Sequence, residues 1–110
     1  MTYHVRPLAR AQLDVDCILD FIRNKKGAPH GASLWLEAYQ EAVVNLAKNP
    51  LAYGFAPENR HVGYDLRQVL FRTRHGRTYR ILFAVVDNEI RILRVRGPGQ
   101  RPLRRTEIGE

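Results

Sequence analysis

The run Arg77-Thr78-Tyr79-Arg80-Ile81-Leu82-Phe83-Ala84-Val85-Val86-Asp87-Asn88-Glu89-Ile90-Arg91-Ile92-Leu93-Arg94-Val95-Arg96 decides the fold. Ile81 to Val86 is an unbroken apolar stretch between turn-forming residues, the pattern of a strand. Apolar side chains of both parities imply that Arg77 to Val86 is buried on both faces or paired on both sides. Asp87-Asn88 marks a tight turn, and Glu89 to Arg96 alternates in part, Ile90 and Ile92 against Arg91, as a further strand does. Upstream, Leu66 to Arg74 carries Leu66, Val69, Leu70 and Phe71 and runs into His75-Gly76, another turn signal. Sequential strands joined by short turns form an antiparallel meander. Downstream, Gly97-Pro98-Gly99 closes the last strand. Gln100 to Glu110 is polar and includes Arg101, Arg104 and Arg105, so the pattern predicts a single domain over residues 1–103 and a basic, flexible tail over 104–110.

The first half of the chain has a different period. Tyr3 to Leu8 alternates briefly and stops at Pro7, which suits a short first strand. From Ala9 to Arg23, Ala11, Val15, Ile18, Leu19 and Ile22 recur at the spacing of one helical face. Lys25, Lys26 and Gly27 follow, with cations at the negative end of the helix dipole and a glycine where the chain turns. From Gly31 to Lys48 a second stripe comprises Ala32, Trp35, Leu36, Tyr39, Ala42, Val43 and Leu46, and Asn49-Pro50 ends it. Trp35 and Tyr39 lie on that stripe and read as core, not as a platform for stacking bases. Residues 50–65 hold two prolines and two glycines without a sustained period and predict a long connection. The order strand, helix, helix, then three strands is an α+β pattern: an N-terminal strand and an antiparallel helical hairpin packed on one face of a small antiparallel sheet.

Composition narrows the function classes. At 110 residues the chain suits one hydrophobic core. Its longest apolar run is far below the roughly 18 to 20 residues that cross a bilayer. The N-terminus has no apolar region of a secretory signal. One cysteine, Cys17, cannot close an internal disulfide, and no Cys/His cluster has zinc-ligand spacing. A cytoplasmic protein without membrane segment, metal or cofactor is the expectation. The net charge of +7 is placed unevenly. Residues 1–59 hold six basic and six acidic residues, whereas residues 60–110 hold twelve arginines, no lysine and five acids. Such a bias can reflect solubility and genome composition alone. Arginine's planar fork also suits phosphate and carboxylate, which points to an acidic partner, either nucleic acid or protein.

No metal motif, phosphate loop or nucleophile elbow is present. His4, His30, His61 and His75 fall at scattered positions with no visible partner. The arginines of the strands are the constellation to weigh. Arg72, Arg80 and Arg94 lie on neighbouring strands, with Arg67, Arg74 and Arg96 nearby, and several can project from the face opposite the helices. Such a face can hold phosphate oxygens and stabilise negative charge. RNA cleavage would still need groups that take and give protons, and arginine is a poor base.

Leu66-Arg67 through Phe71-Arg72, then Tyr79-Arg80-Ile81-Leu82-Phe83, the acidic turn Asp87-Asn88-Glu89 and Ile92-Leu93-Arg94-Val95, taken with the size and the element order, resemble the RelE/ParE toxins of bacterial type II toxin–antitoxin systems, the plasmid stabilisation family. The resemblance covers Tyr3 to about Leu103. It implies either of two activities: a ribosome-dependent endoribonuclease that cuts messenger RNA, or a growth inhibitor that poisons DNA gyrase. It also implies a cognate antitoxin that wraps the toxin in a hetero-oligomer. By position, Arg72 matches the strand arginine of the nucleases, and Arg101 approximately matches the basic residue after the last strand. If the chain is a metal-independent nuclease, the resemblance nominates Arg67, Arg72, Arg80 and Arg101. Binding of target or antitoxin would fall to Arg72, Arg74, Arg94, Arg96 and Arg101. After Arg96 there is no tyrosine or histidine to transfer a proton, which tilts the reading toward the gyrase branch. A non-toxic nucleic-acid-binding relative is the remaining alternative.

Overall fold

The computed structural model describes residues 3–109. Four strands, β1 (His4–Pro7), β2 (Arg67–Phe71), β3 (Tyr79–Val86) and β4 (Glu89–Arg96), form one sheet in the order β1-β4-β3-β2. The meander read from the sequence is present, with β2 antiparallel to β3 and β3 antiparallel to β4. The first strand adds a feature that its pattern did not reveal. β1 pairs parallel to β4, Val5 opposite Ile90, so the sheet is mixed. The intervening helices carry the chain back to start β2 at the far edge, leaving β4 to β1. β3 is thus an inner strand, and its apolar residues of both parities serve two cores. Ile81 and Phe83 face one side, Leu82 and Ala84 the other. In β4 the register slips opposite Leu82 and Phe83, which pair with Arg94 and Ile92, so Leu93 is an extra residue that bends the strand.

The first face is covered by helices α1 (Ala9–Asp20) and α2 (Pro29–Lys48). Ala11 and Val15 of α1 and Trp35, Tyr39, Ala42 and Leu46 of α2 bury against Val69, Phe71, Ile81, Phe83, Ile90 and Ile92. Trp35 is 2% exposed and stacks on Tyr39 at a ring distance of 5.6 Å, so both are core. The expected first helix, Ala9 to Arg23, passes after Asp20 into a π-helical turn, Phe21–Lys25. The Lys26 amide then donates to Phe21 O, and Gly27 takes φ +62°, a left-handed conformation that glycine adopts without strain. α2 starts two residues before the expected Gly31, because Pro29 fits the first helical position, where its missing N–H costs nothing.

The opposite face is covered without a long helix or a strand of its own. Leu8, Ala56, Leu66, Leu82, Ala84, Leu93, Leu103 and Ile108 make a second core. The connection expected over residues 50–65 contains two 3-10 turns, Pro50–Ala52 and Pro57–His61, and supplies part of this cover through Ala56 and Val62. It is tied to the sheet by Ala56 N–H to Leu66 O at 2.9 Å and Gln68 N–H to Gly54 O at 3.1 Å. The C-terminal segment supplies the rest. The flexible tail expected over 104–110 is corrected for its described part: Ile108 is fully buried, Arg105–Glu107 form a 3-10 turn, and Arg10 reaches Thr106 O at 2.9 Å. A segment anchored by one apolar side chain and ion pairs has no period, which is why its order was not visible in the pattern.

Candidate functional site

The register places Arg80 opposite Arg96, and Arg94 opposite Leu82, so all three arginines share the face turned away from the helices. They are not free there. Arg80 forms a two-armed pair with Glu58, at 2.8 and 2.5 Å, and also donates to Gln68 Oε1 at 3.1 Å. Glu58 is fully buried, and its second oxygen also accepts the Leu103 amide at 2.9 Å. Burial alone would raise the Glu58 carboxyl, but the Arg80 guanidinium and the Leu103 amide outweigh it and hold the group at about 2. Arg94 grips Asp14 of α1 with both arms, at 2.7 and 2.9 Å, and donates to Glu107 O at 2.6 Å. The same Asp14 accepts the Val95 amide at 2.9 Å, sealing β4 where β1 has ended. Arg96 is 8% exposed, donates to Arg101 O at 2.9 Å, and has no partner for its Nε. Burial first, and the neighbouring Arg94 next, push its pKa below the usual arginine value. Arg67 caps Tyr53 O at 2.6 Å, with its guanidinium 4.5 Å from the Phe55 ring centre.

Four of the seven nominated arginines, Arg67, Arg80, Arg94 and Arg96, therefore fasten the irregular cover to the sheet. Arg101 is exposed and paired with Glu107 at 2.8 and 2.9 Å, an arrangement of small energetic weight at a surface. Arg72 and Arg74 are exposed and form no ion pair among the described residues. They stand with His75 and Arg77 on the β2–β3 connection. At Gly76 of this turn a Cβ would lie 2.1 Å from Thr73 Oγ1, so a side chain there would force the Thr73 hydroxyl to rotate away.

Two grooves open beside that connection. One, of about 430 Å³, runs from Cys17, Ile18 and Phe21 to Gly97 and Pro98. The other, of about 270 Å³, is lined by Ala28, Gly31 and Trp35 on the helical side and by Thr73, His75 and Gly76 on the sheet side. Both include Lys26, Arg77 and Tyr79, so they adjoin. A third groove, of about 310 Å³, lies between α2 and β2, lined by Ala38, Glu41, Asn45, Leu70 and Arg72. Sequence reading missed Lys26 and Arg77 as neighbours. Lys26 reads as a helix-end cation and Arg77 as a hairpin residue, and the only hint was a charge on each side of a turn.

Among the described residues, no group of His, Cys, Asp or Glu is arranged to hold a metal ion, and no helix is long and apolar enough to cross a membrane. A search of curated proteins finds no match. The model of the family described as the ParE toxin of the type II toxin–antitoxin system parDE matches residues 5–102. That span contains β1 except for His4, the other three strands, both helices and every arginine weighed above except the C-terminal Arg104 and Arg105. With nearly the whole fold matched, the chain belongs to the ParE toxin family of type II toxin–antitoxin systems.

Proposed function

We propose that this toxin arrests growth in the cytoplasm by binding an essential target, with DNA gyrase as the family's precedent, and that it stabilises its plasmid or locus through neutralisation by a cognate antitoxin. The observation that carries the choice of target is the internal pairing of the strand arginines. Arg80 is held by Glu58 and Arg94 by Asp14, so they are committed to the fold and not to a scissile phosphate. The last turn also lacks a tyrosine or histidine to exchange the proton of a 2′-hydroxyl. Target contacts then fall to the exposed Arg72, Arg74 and Arg101. The antitoxin has a natural approach at β2, an edge strand whose outer side is covered by Gly54 and Phe55 only near Arg67 and Gln68. An extended segment can add there as a further strand.

Cleavage of messenger RNA on the ribosome is the second reading, and one observation favours it. His75 lines the same groove as Arg77 and Lys26, and histidine is the commonest proton-transfer residue. Inducing the chain without antitoxin and following growth, message integrity and plasmid supercoiling together separates the two. Arrest with altered DNA topology and intact message is the expected result. Codon-phased message cleavage would replace it with the nuclease reading, and unimpaired growth would leave only a non-toxic relative.

A further inference from the structure

On the face turned away from the helices, Arg80 is matched by Glu58, Arg94 by Asp14 and Arg101 by Glu107. Arg96 is left over. It is buried, and no carboxylate among the described residues forms an ion pair with it. Its register partner across the sheet is another cation, Arg80, and Arg94 precedes it on the same face. Like charges set opposite one another on paired strands are destabilising, and a buried charge without a counter-charge is costly. Nη2 donates to Arg101 O, a neutral acceptor, whereas Nε is closed off from solvent and finds no acceptor. The lowered pKa has the same origin: burial first, then Arg94, with Arg80 adding to it and Asp14 and Glu107 opposing. Those two carboxylates are already gripped by both arms of Arg94 and of Arg101.

We propose that Arg96 holds a small inorganic anion, chloride in size and charge, against its Nε. A buried water would satisfy the Nε–H but leave the charge uncompensated, so the charge decides for an anion. Nε has no solvent-facing surface, which favours a single-atom ion over a phosphate ester or a carboxylate side chain. The bound ion supplies the counter-charge that the chain itself gives to Arg80 and Arg94 but not to Arg96. Through Arg96 and the Arg101 carbonyl it joins the end of β4 to the segment that follows. It thereby steadies the backbone of Arg101, one of the exposed arginines proposed to meet the target. The site is independent of whether that target is gyrase or the ribosome.

The test is thermal unfolding of the full chain in mixtures of sodium gluconate and sodium chloride at one fixed ionic strength, about 0.2 M, which keeps the screening of surface pairs constant. A site half filled at about 20 mM chloride shifts the folding equilibrium about elevenfold at about ten times that concentration, raising Tm by roughly 6 °C. Arg96→Met should abolish this rise, whereas Arg105→Gln, which removes a positive charge from an exposed residue, should keep it. Equal Tm in the two salts would reduce any salt effect to screening, and a rise that survives Arg96→Met would put the ion elsewhere. A rise lost equally in both variants would trace it to net charge. Each of these outcomes overturns the proposal. Should Arg96→Met fail to fold, which circular dichroism detects, bromide-soaked crystals of the unaltered chain decide instead. An anomalous peak in contact with Arg96 Nε is the expected result, and peaks on the exposed surface alone would mean an adventitious ion only and refute the site.

Discussion

Replacing Glu58 should damage this protein more than replacing any exposed acid, and the size of the loss follows from its surroundings. The carboxylate is fully buried, takes both arms of Arg80 and accepts the Leu103 amide. Glu58→Ala would leave a guanidinium whose side chain is 18% exposed without its counter-charge, and would leave a buried N–H unpaired. Breaking a buried pair from one side costs about 3 to 5 kcal/mol. Some water reaches Arg80, so the lower end, about 3 kcal/mol, is the expected loss. The carboxyl's own titration gives a similar figure. It is lowered from 4.5 to about 2, and each unit is worth about 1.4 kcal/mol of preference for the charged form. The sign is that of a depressed acid. The stabilisation is complete above the unfolded value near 4.5 and is lost as pH falls from there toward 2. For a domain of this size a loss of about 3 kcal/mol lowers Tm by roughly 13 °C. Thermal and urea unfolding followed by circular dichroism at pH 7 and at pH 3 measures both effects. The gap between Glu58→Ala and the unaltered chain should narrow at the lower pH. A second arm, Glu58→Leu with Arg80→Met, should recover most of the loss, because no charge is then left buried. A loss below about 1 kcal/mol at pH 7, or a gap that does not change with pH, would refute the reasoning and make the pair a surface contact.

The remaining expectations can be checked with the same unfolding assay and a complex-formation assay. Trp35→Ala should cost about 3 to 5 kcal/mol, since a buried ring stacked on Tyr39 and packed against Phe71 and Tyr79 is lost; a stable variant would place Trp35 outside the core. Ile108→Ala should cost about 2 to 4 kcal/mol, and an unchanged Tm would mean that the C-terminal segment does not pack in solution. Arg72→Glu and Arg94→Glu should part company. The first should keep Tm and weaken toxicity or antitoxin binding, whereas the second should lower Tm by setting a carboxylate against Asp14; equal behaviour would contradict the division between free and fastened arginines.

The helical stripe of Ala32, Trp35, Tyr39, Ala42 and Leu46 and the apolar run Ile81 to Val86 could be read one segment at a time, because burial imposes periods of 3.6 and 2 on neighbouring residues. The turns at His75-Gly76 and Asp87-Asn88 were equally legible, since a tight turn depends on its own few residues. That several strand arginines can project from the face opposite the helices was also readable, but of the grouped Arg72, Arg80 and Arg94 the first stands just beyond the end of β2, and Arg96 joins the other two. Their partners were not readable. Asp14 lies 80 positions from Arg94 and Glu58 lies 22 from Arg80, and no local period links residues so far apart.

The same limit explains the C-terminal segment, in which a single isoleucine, a capped turn and the Arg10 contact give order that a polar composition conceals. It also explains the parallel pairing of β1, whose place beside β4 depends on the path of two helices rather than on four residues. Strands, helices, charge imbalance and family membership are properties of neighbouring residues and of composition, so they survive in one dimension. Which arginines stay available to a partner is different. That depends on where each acid arrives after the chain has folded, because an ion pair is set by distance in space and carries no trace in sequence spacing.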